Sequence, residues 1–163
     1  MNFFTSPRAR HQLTFVKLSD YMEYVDIAAE WAEGEWGYIR NKGVEYRKGV
    51  LTNLKDSTYI GLFGGQPVAM FVLFDKEIMP KMNSRFLASE LMYVYVDKSC
   101  RELGFGRQVV NEAKRIARAS GSDTIVFDTL KTKLNPFYQR AGAEVIAEGK
   151  LFTEPTDVLM MRV

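Results

Sequence analysis

Residues 95–110 read YVDKSCRELGFGRQVV and are the most informative segment of the chain. It predicts the end of a strand, a short loop carrying Gly104 and Gly106, and the start of a helix. Such a junction directs unpaired backbone amides and the positive end of the helix dipole at one spot. Glycines there let the backbone approach a phosphate or pyrophosphate closely, and Arg101 and Arg107 can add charged contacts. An ordinary tight turn before a helix is the alternative interpretation.

Two well-known phosphate-binding motifs do not fit this loop. A Rossmann fingerprint requires a third small residue three positions after Gly106, where Val109 stands. A P-loop requires Gly-Lys-Ser/Thr, whereas Gly106 is followed by Arg107-Gln108. The loop therefore belongs to neither of these two classes of phosphate-binding motif.

Strands and helices alternate along the chain on both sides of the loop. Seven strands are predicted, over residues 13–18, 59–63, 68–74, 89–96, 124–127, 144–146 and 158–163. Four helices are predicted: the first begins after residue 20, and the others cover residues 44–54, 105–120 and 134–140. The order β-α-α-β-β-β-α-β-α-β-β has no linker and no internal repeat. It predicts a single α+β domain over residues 1–163, with a largely antiparallel sheet and a polar lead-in at residues 1–12.

Local signals set some of the expected boundaries. Asp20 and Glu23 have the spacing of a capping box and predict the start of the first helix. Gly34 and Gly37 are expected to loosen the end of that helix. A Gly-Gly turn between the second and third strands predicts a β-hairpin. We expect residues 76–85 to form a loop.

The composition is that of a globular protein, because 47% of the 163 residues are apolar and 26% are charged. The net charge of +2 is too balanced to favour a nucleic-acid or membrane partner, since both require a concentrated basic face. The longest apolar run, residues 68–74, is far shorter than the ~20 residues that span a bilayer. A single cysteine and the lack of a signal-peptide pattern predict a cytoplasmic protein.

The scarcity of two residue types excludes several reaction classes. His11 is the only histidine and lies in the polar lead-in, a poor position for Ser-His-Asp or Cys-His catalysis. Cys100 is the only cysteine, so the chain lacks the several ligands of a zinc site, and we expect no metal cofactor. The chemistry must therefore run on carboxylates, tyrosines, backbone amides or a bound cofactor.

Three short motifs are together similar to those of one enzyme family. The segment Arg101-Glu102-Leu103-Gly104-Phe105-Gly106 matches the acetyl-CoA signature Arg/Gln-x-x-Gly-x-Gly/Ala. Downstream, residues 135–143 (NPFYQRAGA) look like the family's second motif, and upstream Glu35-Trp36-Gly37 is similar to a sequence common in its first helical region. On these motifs the chain resembles the GNAT superfamily of N-acetyltransferases. The resemblance implies a mixed sheet with helices on both faces, acetyl-CoA as co-substrate and a primary amine as acceptor.

The resemblance also assigns residues to cofactor binding. Main-chain groups of the strand before the loop would bond to the pantetheine arm, and the amides of the loop would hold the pyrophosphate. A gap is implied between the strands at 89–96 and 124–127, where the acetyl group would lie. The residues implied in cofactor binding are Val94, Tyr95, Val96, Arg101, Leu103, Gly104, Phe105, Gly106, Arg107 and Asn135.

Glu90 and Tyr138 are the predicted catalytic residues. A protonated amine must lose a proton before it attacks a thioester, and Glu90, an acid on an otherwise apolar and aromatic strand, is the candidate base, directly or through water. Tyr138 matches the family's motif tyrosine and is the candidate general acid toward the CoA sulfur. A backbone amide of Tyr95 or Val96 would polarise the thioester carbonyl. The alternatives are a solvent-facing carboxylate at Glu90 and a packing role for Tyr138.

The sequence does not identify the acceptor, which is a small amine or a protein. In the family, acceptor specificity depends mainly on the first two helices and the loop before the central strand, which here include Trp31, Glu33, Glu35, Trp36, Tyr38, Tyr46 and residues 76–85. Aromatic and acidic side chains can bind a cation, but aromatic residues at helical spacing are also typical of a core.

Two alternatives at the level of the whole protein stay open. A non-catalytic acyl-CoA-binding regulatory module with the same fold is the alternative function, and a homodimer is an alternative to a monomer. A nucleotide-binding domain is disfavoured, because the predicted β-hairpin does not suit parallel β-α-β units.

Overall fold

The computed structural model describes residues 11–78, 86–130 and 132–163. Along these residues the elements follow the order predicted from the sequence. The strands are β1 (Thr14–Lys17), β2 (Thr58–Phe63), β3 (Gln66–Ile78), β4 (Phe86–Val96), β5 (Thr124–Thr129), β6 (Ala143–Leu151) and β7 (Glu154–Arg162). The α-helices are α1 (Val25–Arg40), α2 (Val44–Asn53), α3 (Phe105–Ala119) and α4 (Asn135–Arg140).

The strands form one sheet in the order β1-β2-β3-β4-β5-β7-β6. Every neighbouring pair is antiparallel except β4 and β5, which run parallel because α3 makes the crossover between them. The expected hairpin joins β2 to β3 through Gly64 and Gly65, whose φ angles of 57° and 79° suit glycine. The predicted α+β class and the largely antiparallel sheet are confirmed.

β4 and β5 separate soon after they pair. Their parallel register covers only residues 88–90 of β4 and 124–126 of β5. Beyond it, β4 stays paired with β3 and β5 stays paired with β7. A bulge in β4 shifts its register with β3 in the same region, where Tyr93 has a φ of 53°. The gap implied by the family resemblance is therefore present.

Apolar side chains pack on both faces of the sheet. Because side chains alternate along a strand, Phe71 and Leu73 of β3 point to one face, and Met70 and Val72 point to the other. The first face is covered by α3 and α4, and the second by α1 and α2. The predicted placement of helices on both faces is confirmed.

The first helix differs from the sequence prediction at both ends. Two short 3₁₀ turns carry the chain from β1 onto the face of the sheet, and α1 begins only at Val25, without a side-chain cap. The capping-box interpretation of Asp20 and Glu23 is therefore wrong. The helix also continues without a break through Gly34 and Gly37, because packing against the sheet and α2 outweighs the low helix propensity of glycine.

Most strands are longer than predicted, including β3, β6 and β7. Residues 76–78 belong to β3 instead of the expected loop, and residues 79–85 of that loop lie outside the described residues. β6 and β7 extend toward each other to a two-residue turn at Phe152-Thr153. That turn has no glycine or asparagine, which are the residues that mark a tight hairpin in a sequence.

Candidate active site

The loop before α3 has the conformation expected from its glycines. Gly104 is the N-cap of α3 with a φ of 82°, a left-handed conformation that glycine adopts without strain. The first amides of α3 have no acceptor within the helix, and they point, with the positive end of the helix dipole, out of this terminus. Gly106 brings the helix against Phe137, whose ring carbon would lie 3.2 Å from an added Cβ. The loop can therefore hold an anion next to α4.

A cavity of about 700 Å³ lies against this end of α3. Its wall consists of the end of β4, the loop, the first turns of α3 and the start of α4. The lining residues include all but one of the predicted cofactor-binding residues, namely Val94, Tyr95, Val96, Arg101, Leu103, Gly104, Phe105, Gly106 and Arg107. We call this space the donor cavity.

Asn135, the remaining predicted cofactor residue, is engaged inside the fold. Its amide oxygen accepts a hydrogen bond from Thr129 Oγ1 at 2.8 Å, and its amide nitrogen donates to Asp157 Oδ2 at 2.8 Å. The side chain is 9% exposed and is not among the residues that line the donor cavity. It ties the first residue of α4 to β5 and β7, and so fixes the helix that carries Tyr138.

Arg101 connects the loop to the end of β4. Its Nε donates to the carbonyl oxygen of Val96 at 3.0 Å, and its guanidinium carbon lies 5.5 Å from the centre of the Tyr95 ring. That ring stacks in turn on Trp31 of α1 at 5.4 Å between centroids. Of the strand positions expected to bind the pantetheine arm, Val96 therefore already has its carbonyl paired with a donor.

The segment before β1 also contributes to the donor cavity, which the sequence did not indicate. Gln108 of α3 donates from Nε2 to the carbonyl of His11 at 2.6 Å and accepts at Oε1 from the amide of Leu13 at 2.8 Å. The two bonds fasten the segment against α3, and Gln12 between them lines the cavity. A long-range contact between a helix side chain and a polar lead-in leaves no periodic signal in a sequence.

A second cavity of about 230 Å³ is bounded by α1, α2, β4, the end of β5 and the β6–β7 turn. Glu90 lines this cavity and not the donor cavity. The two cavities share four lining residues, which are Glu35, Val94, Leu134 and Tyr138. They therefore meet where β4 and β5 have parted, and we call the second space the acceptor cavity.

Tyr138 is the aromatic residue at this junction. It is 7% exposed, and its ring lies 4.7 Å from that of Phe127 and 5.1 Å from that of Phe137, measured between centroids. Burial raises the pKa of the Tyr138 hydroxyl to about 12, because an anion in this apolar setting would be poorly solvated. The hydroxyl therefore stays protonated and can act as a donor throughout the neutral and mildly alkaline range.

Arg47 holds the wall of the acceptor cavity together. It is 5% exposed, and it donates from Nε to the Glu33 carboxylate at 3.1 Å, from one terminal nitrogen to the Tyr93 hydroxyl at 2.7 Å and from the other to the Trp36 carbonyl at 2.8 Å. A buried charge needs such complete pairing, since an unpaired one would be strongly destabilising. The network joins α1, α2 and the bulge of β4, and the weak amphipathic pattern of α2 gave no sign of it.

The residues expected on the acceptor side divide into two groups. Glu35 and Trp36 line the acceptor cavity, whereas Trp31 is 7% exposed in the core and Glu33 is paired with Arg47. Tyr38 is 56% exposed and lines neither cavity. Trp31 therefore belongs to the core, as aromatic residues at helical spacing often do, whereas Trp36 lines the cavity.

Residues 11–78, 86–130 and 132–163 contain neither a candidate membrane span nor a candidate metal cluster. No helix there is long and apolar enough to cross a membrane. In the same residues, no three or more His, Cys, Asp and Glu side chains are grouped so that they could hold a metal ion.

The sequence profile of the acetyltransferase (GNAT) family matches residues 21–143, and the chain belongs to this family. An aminoglycoside 6'-N-acetyltransferase complexed with coenzyme A has the same fold at 12% identity, with a TM-score of 0.70 and coverage of 91% of this chain and 96% of that one. Ard1 from Thermoplasma volcanium matches at 13% identity, with a TM-score of 0.69 and coverage of 93% and 97%. A chain of the NatC complex bound to Gag peptide and CoA matches at 15% identity, with a TM-score of 0.66 and coverage of 93% and 99%. No curated protein matches the chain.

Proposed function

We propose that the protein is an N-acetyltransferase, which moves the acetyl group of acetyl-CoA to a primary amine by direct attack in a ternary complex. The observation that carries this proposal is the meeting of two cavities at the gap between β4 and β5. A donor and an acceptor that enter by separate cavities can both reach the junction lined by Val94 and Tyr138. Holding two reactants side by side makes their reaction effectively unimolecular.

The donor cavity suits acetyl-CoA. Its pyrophosphate would lie at the N-terminus of α3, where the amides at residues 103–107 and the helix dipole favour negative charge. The pantetheine arm would follow β4 toward the gap, because the edge of β4 that faces β5 has lost its strand partner beyond Glu90. Structures of two proteins with this fold contain CoA, which supports the same donor here.

The transfer removes two protons from the ammonium nitrogen and replaces one C–S bond by one C–N bond. Glu90, on the wall of the acceptor cavity, takes a proton from the ammonium group, directly or through water. The amine nitrogen then attacks the thioester carbonyl carbon, so that a C–N bond forms as the C–S bond breaks. The sulfur leaves as a thiolate, toward which the Tyr138 hydroxyl donates a hydrogen bond. The second proton of the attacking nitrogen passes through water to this thiolate, which leaves as the free thiol of CoA. A backbone amide of Tyr95 or Val96 donates to the carbonyl oxygen as negative charge develops on it.

The charges of the acceptor cavity favour a cationic acceptor. Three carboxylates line it, those of Glu35, Glu90 and Asp128. Its two arginines are Arg40 and Arg47, and Arg47 is already paired with Glu33. An ammonium group is the form in which a primary amine arrives at neutral pH, and such a cavity concentrates it.

A panel of amines and amino-terminal peptides incubated with acetyl-CoA tests the proposal, with the released CoA thiol measured by a colorimetric reagent. We expect thiol release that depends on both the amine and the protein. Binding of acetyl-CoA without release for any amine would instead favour a non-catalytic acyl-CoA-binding module. Because the single cysteine suits a reducing compartment, we expect the reaction to take place in the cytoplasm.

A further inference from the structure

Arg40 occupies the outer end of the acceptor cavity. It lies in the last turn of α1 and is among the residues that line this cavity. Its guanidinium carbon is 4.1 Å from the centre of the Phe152 ring and 5.6 Å from that of the Tyr46 ring. Within residues 11–78, 86–130 and 132–163, Arg40 has no carboxylate at ion-pair distance. The two rings therefore hold the Arg40 guanidinium in place, and its N–H groups remain available to donate to a ligand.

The turn that carries Phe152 is unusual for its residue type. Phe152 is the first of the two turn residues between β6 and β7 and has a φ of 56°, in the region that favours glycine. Its side chain is 56% exposed, so burial does not explain a phenylalanine there. The contact with Arg40 at the edge of the acceptor cavity explains the phenylalanine, because an aromatic face attracts a guanidinium.

The acceptor cavity is charged differently at its two ends. Glu35 belongs to the junction with the donor cavity, where the reacting amine must lie. Arg40 lies five residues farther along α1, about 7.5 Å along the helix axis at about 1.5 Å of rise per residue. Arg47, the other arginine on this wall, has its donors taken by Glu33, Tyr93 and Trp36. The Glu35 carboxylate therefore lines the reactive end of the cavity, and the Arg40 guanidinium lines the outer end.

We propose that the acceptor is a small zwitterionic amine, whose carboxylate is bound by Arg40 while its ammonium group lies at the junction of the cavities. A guanidinium can donate two parallel hydrogen bonds to a carboxylate, which a lysine could not reproduce. The separation of the two charged ends selects an amine whose carboxylate is several bonds away. This inference rests on the proposed function, and it makes Arg40 a specificity-determining residue.

Three amines of one chain length test the proposal: 6-aminohexanoate, hexylamine and 1,6-diaminohexane, each with acetyl-CoA. We expect kcat/KM to be about 10- to 100-fold higher for 6-aminohexanoate than for either of the others, the usual effect of one charged hydrogen-bonded pair. In Arg40→Gln the preference for 6-aminohexanoate over hexylamine should fall by a similar factor, mainly through KM. Phe152→Ala keeps the charge of Arg40 but removes the ring that holds its guanidinium. This variant should lose part of the same preference.

Lys42→Gln is the matched control. Lys42 lies near the same Tyr46 ring, at 5.0 Å, and its loss changes the charge equally, but it does not line the acceptor cavity. It should keep the parental preference. Equal use of 6-aminohexanoate and hexylamine by the parent, or equal effects of Arg40→Gln and Lys42→Gln, would overturn this inference and leave the proposed function standing. Transfer to none of a wide amine panel, with acetyl-CoA bound, would contradict the proposed function and this inference with it.

Discussion

Tyr138 is placed better as a hydrogen-bond donor than as a source of a whole proton. Its pKa of about 12 follows from burial between Phe127 and Phe137. A free thiol has a pKa of about 8.5, so complete transfer of the hydroxyl proton to a departing thiolate would be uphill. A hydrogen bond to the developing charge costs no such transfer, and it is stronger because the acceptor is ionised.

Replacing Tyr138 by phenylalanine should lower kcat by about 10- to 100-fold, the effect of losing one hydrogen bond to a charged group. Because the hydroxyl keeps its proton at every pH below about 12, its titration cannot shape the rate profile up to about pH 10. Parent and variant should therefore show profiles of the same shape, measured as kcat against pH. A limb near pH 10 that is present only in the parent would contradict this role.

Glu90 faces a different demand, since it must accept a proton. Glu90→Gln keeps the shape of the side chain but removes the acceptor, so kcat should fall by roughly 10²–10⁴-fold at neutral pH. The affinity for acetyl-CoA should hardly change, because Glu90 lines only the acceptor cavity. Raising the pH should partly restore the variant, since more of the amine is then already deprotonated.

Asp128→Asn serves as the comparison for Glu90→Gln. Asp128 is a carboxylate of the same cavity, held by a hydrogen bond from Thr156 at 2.7 Å, and it should change KM more than kcat. A parental kcat in Glu90→Gln would show that water or the deprotonated amine suffices, and Glu90 would then be a residue of the wall only.

The N-terminus of α3 and the start of α4 pack directly against each other. Gly106 leaves room for Phe137, and the ring of Phe137 packs edge-on against that of Tyr138. The absence of a side chain at one helix position therefore affects both the anion site and the tyrosine at the junction. Gly104 differs from Gly106, because an added Cβ would meet no atom there and only its φ of 82° requires glycine.

Gly106→Val should weaken CoA binding and lower kcat together, since a valine would displace Phe137 as well as block the approach of a phosphate. Calorimetric titration with CoA and the rate at saturating substrates measure the two effects. Gly49→Val in α2 is the control, because an added Cβ there meets nothing within 4 Å. Parental CoA affinity in Gly106→Val would mean that the two glycines are ordinary turn residues.

Features that depend on residues close together in the sequence were predicted well, and features that depend on distant residues were not. The Gly64-Gly65 hairpin and the loop before α3 follow from glycines at positions that need them. The β6–β7 hairpin was shortened in the prediction because Phe152 stands where a glycine is expected. The Arg47 network depends on the packing of three elements, and neither propensity nor periodicity carries that information. Asn135 is in the expected motif, yet tertiary hydrogen bonds direct its side chain into the fold.

The whole molecule has two cavities that meet in one place. The sheet divides the chain into two packed faces, and the parting of β4 and β5 opens the only strand pair that runs parallel among the described residues. The donor cavity draws on α3 and α4, and the acceptor cavity draws on α1 and α2. Binding of a donor should therefore stabilise the fold as a whole, because its cavity takes residues from Gln12 to Tyr138.

Thermal unfolding measures that stabilisation. A ligand selective for the folded state adds about 2.7 kcal/mol at 100 times its Kd, which for a domain of this size corresponds to a rise in Tm of about 5–10 °C. We expect such a rise with CoA or acetyl-CoA and much smaller effects with ATP and NAD, because the lining of the donor cavity continues from the N-terminus of α3 along residues 94–96 of β4, where only CoA has a pantetheine arm to place. ATP has phosphates for the N-terminus of α3 but no pantetheine arm. The difference in Tm rise between CoA and ATP therefore measures the contribution of the contacts along β4. An equal rise with ATP would show that the anion site binds any polyphosphate, and the assignment of the donor cavity to acetyl-CoA would fail.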